Sequence, residues 1–254
     1  MVDGAMYPLV YSFLPAKSQP VYTMFLTLIK DVCHQYQHQL QLQPTNIFLD
    51  YEVAIRNAAY SVFPGINAKG CFPLHPKHVE KSTKTDLQVP YKEDNHIHQI
   101  VRRAAVLPLI PTAEVEDVWL NALTNIDQVD TNNNYTSFTD YVTTYWVEQN
   151  RHLWNHYKTQ GPRTTTYLDG WHSKLKKLVH YPHPNNFKLI KLLKHEEAFN
   201  DLTMIQYTAG GKRVAQKRKY VEINNGLEDL KVRHRNQEIT TLQFGDAASH
   251  LHVE

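Results

Sequence analysis

Asp50 closes the apolar run Ile47-Phe48-Leu49, and a helical pattern starts directly behind it, with Ile55, Ala58, Ala59, Val62 and Phe63 on one face. A carboxylate at the carboxyl tip of a buried strand suits a divalent cation. Sites in open α/β sheets lie at the carboxyl ends of strands, and Mg²⁺ takes oxygen ligands, often only one or two of them carboxylates. Two such ions about 4 Å apart activate a water and stabilise a leaving phosphate oxygen. The plainer role for Asp50 is a helix N-cap that accepts the Val53 N–H. Cys71, His75 and His78 form a second set of potential ligands. One thiol and two imidazoles leave a zinc site a ligand short, so a packed thiol and exposed histidines are the simpler reading. His152 and His156 stand four apart without the intervening glutamate of a zincin helix.

Two groups of cations suit phosphates. Lys174, Lys176 and Lys177 share one predicted helix. Lys212, Arg213, Lys217, Arg218 and Lys219 follow Gly210-Gly211 and suit a nuclear-localisation signal or a phosphate-binding patch. An ordinary solvated helix face explains either group equally simply. Of the four tryptophans, Trp119, Trp146 and Trp154 sit in apolar helical patterns and are expected in the core. Trp171 is the candidate surface aromatic for base stacking.

The chain of 254 residues carries a net charge of +2 with 15 histidines, so any nucleic-acid surface has to be a local patch. Two cysteines cannot build a disulfide framework and point to a reducing compartment. The start, "MVDGAMYPLVYSFLPAKSQP", lacks the basic and apolar regions of a signal peptide. No apolar run reaches the length of a membrane span.

The elements that must position these residues alternate at first. Tyr7–Leu14, Asn46–Asp50 and Ala68–Phe72 read as strands, with helices at Val21–Tyr36 and Tyr51–Phe63 between them, the second ended by Pro64-Gly65. That order predicts an α/β sheet. Helices are then predicted over Asn95–Val106, Glu114–Leu123, Phe138–Tyr157, Trp171–His180, Asn186–Ala209 and Ala215–Arg235. The tail from Gln237 carries no clear pattern.

Taken in order, "YPLVYSFLPAKSQPVY", "FLDYEVAIRNAAYSVFP", "KGCF", "VPYKEDNHIHQIVRRAAVLPLIP", "RHLWNHYKTQGPRTTTYLDGWHSKLKK" and "IQYTAGGKR" resemble a Mutator-like element (MULE) transposase over nearly the whole chain. The resemblance implies an RNase H-like fold with three metal-binding acids, Mg²⁺ or Mn²⁺ as cofactor, DNA as partner and a nuclear location, otherwise cytoplasmic. Asp50 occupies the second acid's position. In "TTTYLDGWHSKLKK", Tyr167 stands where the family has Asn, and Asp169 stands where it has the catalytic Glu, one methylene shorter. The first acid is expected upstream of "YPLVYSFLP", before this chain starts, and Asp3 is not assigned its role. The family's Cys-x-x-His becomes Cys71-x-x-x-His75, interrupted by Pro73 and Pro76. Proline inside a helix costs about 3 kcal/mol, so the helix that motif opens is expected to shorten or vanish.

The expectation is an incomplete RNase H-like α/β core over 1–72. A helical insertion and return helix over 73–180 carry the third-acid position, and 181–254 form a helical basic region and tail. The expected function is a transposon-derived protein that no longer catalyses strand transfer, with Asp50 and Asp169 as the remaining metal ligands. The alternatives are a nucleic-acid-binding module that uses Lys174, Lys176, Lys177, Lys217, Arg218 and Lys219, or a residual metal-dependent nuclease. An exposed sheet edge would also favour self-association, and no membrane partner is expected.

Overall fold

The computed structural model describes residues 7–36, 42–71, 95–124, 136–159, 163, 166–179, 184–211 and 218–252. It is mostly helical with one small parallel sheet. Strands β1 (Asn46–Leu49) and β2 (Asn67–Gly70) pair in parallel, joined by helix α2 (Val53–Val62) and preceded by helix α1 (Gln19–Tyr36). The first strand-helix-strand unit is therefore as expected.

Strand periodicity splits the sheet between two layers. Ile47 and Leu49 pack against α1 and α2, where Tyr22, Leu26, Ala58, Ala59, Val62, Phe63 and Ile66 form one core. Ala58 and Ala59 are wholly buried, and their small side chains let the two helices approach closely. Phe48 and Lys69 are register partners, so both face the opposite layer. There the Phe48 ring stacks on His156 (6.2 Å), and the Lys69 ammonium donates to the carbonyls of His152 and Asn155.

That opposite layer is helical. The described residues beyond the sheet form α3 (Asn95–Val106), α4 (Val115–Thr124), α5 (Thr136–Val142), a π turn at Thr143–Val147, α6 (Arg151–Trp154), α7 (Thr166–Val179), α8 (Asn186–Thr208), α9 (Arg218–Arg235) and α10 (Thr241–His252). A second, larger core gathers Ile97, Val101, Leu107, Trp119, Phe138 and Trp154 with Leu227, Phe244 and Ala248. Late and middle residues thus share one apolar interior.

Three sequence readings change. Tyr7–Leu14 forms no strand. Tyr11 stacks on Trp171 at 5.5 Å, and Tyr7 lies beside Tyr207, so tyrosines spaced for a helical surface hold the segment against α7 and α8 instead. The single helix expected over Phe138–Tyr157 breaks, because Asn150 adopts a left-handed conformation (φ 42°) that α-helical hydrogen bonding cannot pass through. The tail that lacked a pattern folds as α10.

Candidate functional site

Asp50 is exposed just past the carboxyl end of β1. It does not cap the following helix: Glu52 is the N-cap residue of α2, with no side-chain capping bond, and its carboxylate accepts the Tyr22 hydroxyl at 3.2 Å. The carboxylate at the strand tip is thus not explained by capping. Beside it, the Tyr51 hydroxyl donates to the Cys71 carbonyl (2.7 Å), and its ring meets Trp146 edge to face at 5.6 Å. Burial raises the Tyr51 pKa, so the phenol stays protonated. Cys71 itself is half-buried, its N–H bonded to Leu49.

His156 closes the same end of β2. Its imidazole is wholly buried, with Nε2 at 2.9 Å from the Gly70 carbonyl and Nδ1 at 3.2 Å from Thr159 Oγ1. A carbonyl only accepts, so Nε2 carries the proton and Nδ1 accepts from the hydroxyl. Burial holds the pKa down to about 4; the bond to Gly70 opposes the shift, and the charges of Lys69 and Arg163 reinforce it. His156 is neutral at pH 7 and serves as a joint between layers. His152 is exposed, so the two histidines do not converge on a metal.

Asp169 belongs to α7, but its side chain lies outside the described residues, as do Asp3, His75, His78, Lys212, Arg213 and Lys217. Among the described residues, no group of three or more His, Cys, Asp or Glu side chains is arranged to hold a metal ion.

The cations are placed more fully. Lys174 donates to Glu196 of α8 at 2.7 Å and lies over the Phe199 ring at 5.0 Å, so it clamps α7 to α8. Lys176 and Lys177 are exposed on α7. Arg218 pairs with Glu222 one turn on (2.6 Å), and Lys219 is exposed. Trp171, the expected surface aromatic, is turned inward against Tyr11 with a buried Nε1. Trp119 and Trp154 are buried in the core, with Trp146 packed against it.

The sequence held a stronger signal than these clusters. From Gly170 to His195 there are six lysines and four histidines and no Asp or Glu. That stretch includes most of α7 and the first turns of α8. It adds Lys188, Lys191 and Lys194, all exposed. Counting cations in runs misses them because they are spaced along a helix; counting missing acids finds them. No protein-family profile, curated protein or solved structure matches the chain.

Proposed function

We propose that the chain is a transposon-derived, DNA-binding protein akin to MULE transposases that holds DNA without performing strand transfer. One observation carries the reading: the acid-free stretch Gly170–His195, which covers most of α7 and the first turns of α8, presents Lys176, Lys177, Lys188, Lys191 and Lys194 to solvent. On a chain with net charge +2, this local field is the surface a polyanion would seek. Binding then rests on phosphate contacts and counterion release, so affinity falls steeply with salt. The parallel strand-helix-strand unit with Asp50 at its tip supports the RNase H-like part of the proposal.

The test is fluorescence anisotropy of labelled DNA across a salt series. Replacing Lys176 and Lys177 by Gln is expected to weaken binding and to lower the salt slope by about 2. Salt-independent binding, or none, would sink the proposal. The exposed strand-tip carboxylate favours a second reading, a residual nuclease. In that reading Asp50 and Asp169 hold Mg²⁺ or Mn²⁺, and concentrated protein nicks plasmid in a way that Asp50→Asn abolishes. Undiminished nicking by Asp50→Asn excludes it.

A further inference from the structure

Phe187 stands in the first turn of α8, just after Asn185, whose side-chain oxygen accepts the Phe187 N–H at 2.9 Å and fixes the start of the helix. The ring is 83% exposed. Helical spacing puts Lys191 and Lys194 on the same face, four and seven residues on, and puts Glu196 on the opposite face, where it meets Lys174 of α7. An apolar ring of this size gains by leaving water, and here it is flanked by exposed Ile190 and by the ammonium groups of Lys191 and Lys194. The occupant must therefore offer both an apolar face and negative charge.

We infer that this face of α8 is a stacking platform for unpaired DNA, Phe187 taking a base while Lys191 and Lys194 hold the flanking phosphates. The inference rests on the DNA-binding reading above and narrows it to single strands. In a duplex the base faces are already stacked on one another, and a ring projecting from a rigid helix meets only the backbone. In a single strand every base has a free π-face, and phosphates follow at the spacing of the chain. A protein partner would need an acidic and apolar surface together; an unpaired strand carries both in each nucleotide.

The experiment compares the full chain with Phe187→Ala and Phe187→Trp on a labelled single strand, on its duplex and on the RNA of the same sequence. Circular dichroism of each variant confirms that the fold is kept, as expected for so exposed a residue. Phe187→Ala is expected to lose about tenfold in affinity for the single strand. Its duplex affinity and its salt slope stay unchanged, and Phe187→Trp retains tight binding with quenched indole fluorescence. Salt-dependent binding of both DNA forms that ignores Phe187→Ala overturns the inference and leaves the DNA-binding reading standing. Tighter binding of the RNA overturns the assignment to DNA. Binding of none of the three overturns the underlying reading and this inference with it.

Discussion

His156 shows how a buried titratable side chain makes stability depend on pH. Its ordinary value is 6.5, and burial brings it to about 4 in the folded chain. Between those values the unfolded chain binds the proton and the folded chain does not, so stability is full above about pH 6.5 and declines as pH falls toward 4. The full shift corresponds to about 3 kcal/mol. Denaturant midpoints measured at pH 7 and pH 4.5 are expected to lie closer together in His156→Gln than in the wild type. An equal separation would show that His156 is not the group responsible. Gly70 is a second position where one atom matters. A Cβ there would lie 2.5 Å from the Tyr51 ring, so Gly70→Ala has to displace that ring from Trp146 and its hydroxyl from Cys71. The expected cost is about 1–3 kcal/mol by chemical denaturation. Asp50→Asn, at an exposed tip with no capping role, should change stability by less than about 0.5 kcal/mol.

At the scale of the element, α10 is anchored by one ring. Phe244 is wholly buried among Tyr157, His234 and the larger core. Phe244→Ala is expected to lower stability by about 3–5 kcal/mol in equilibrium unfolding, and a loss below 1 kcal/mol would mean that α10 does not dock there. That helix was illegible in the sequence because Gly245 and scattered polar residues weaken its propensity. Gly245 is present for packing, since a Cβ would come within 3.3 Å of Ile110. Helices α3 and α4 were legible because their apolar periodicity matches the face they bury. So were β1, α2 and β2, bounded by turn residues. Tyr7–Leu14 misled because alternating apolar residues describe a segment half covered by any surface, and here that surface is helical. Of the site, Asp50 at its strand tip was readable from the abrupt end of the apolar run. The proposed binding face of α8 was not, because single lysines spaced three residues apart look like ordinary solvated positions until the missing acids between Gly170 and His195 are counted.

Taken whole, the molecule has two apolar cores joined by a polar and aromatic seam. The first lies between α1, α2 and the inner face of the sheet; the second is helical. Across the seam run the Lys69 bonds to His152 and Asn155, the His156 bond to Gly70, and the ring contacts of Phe48 with His156 and of Tyr51 with Trp146. Directional bonds of this kind hold two bodies in register but bury little apolar surface, so the coupling between cores depends on few groups. Burial lowers the Lys69 pKa, and Lys69→Met would leave the His152 carbonyl and the partly buried Asn155 carbonyl without this donor, at a position outside both cores. All four tryptophans lie at or after residue 119, and Trp119 and Trp154 are buried in the helical core, so indole fluorescence follows mainly the helical part, with Trp146 also touching Tyr51 at the seam. Amide exchange in Val53–Val62 follows the other core. In the wild type the two probes are expected to share one denaturation midpoint. In Lys69→Met, exchange in α2 should advance to lower denaturant while the fluorescence midpoint moves less. Coincident shifts of both probes would instead mean that the cores are coupled through contacts other than this seam.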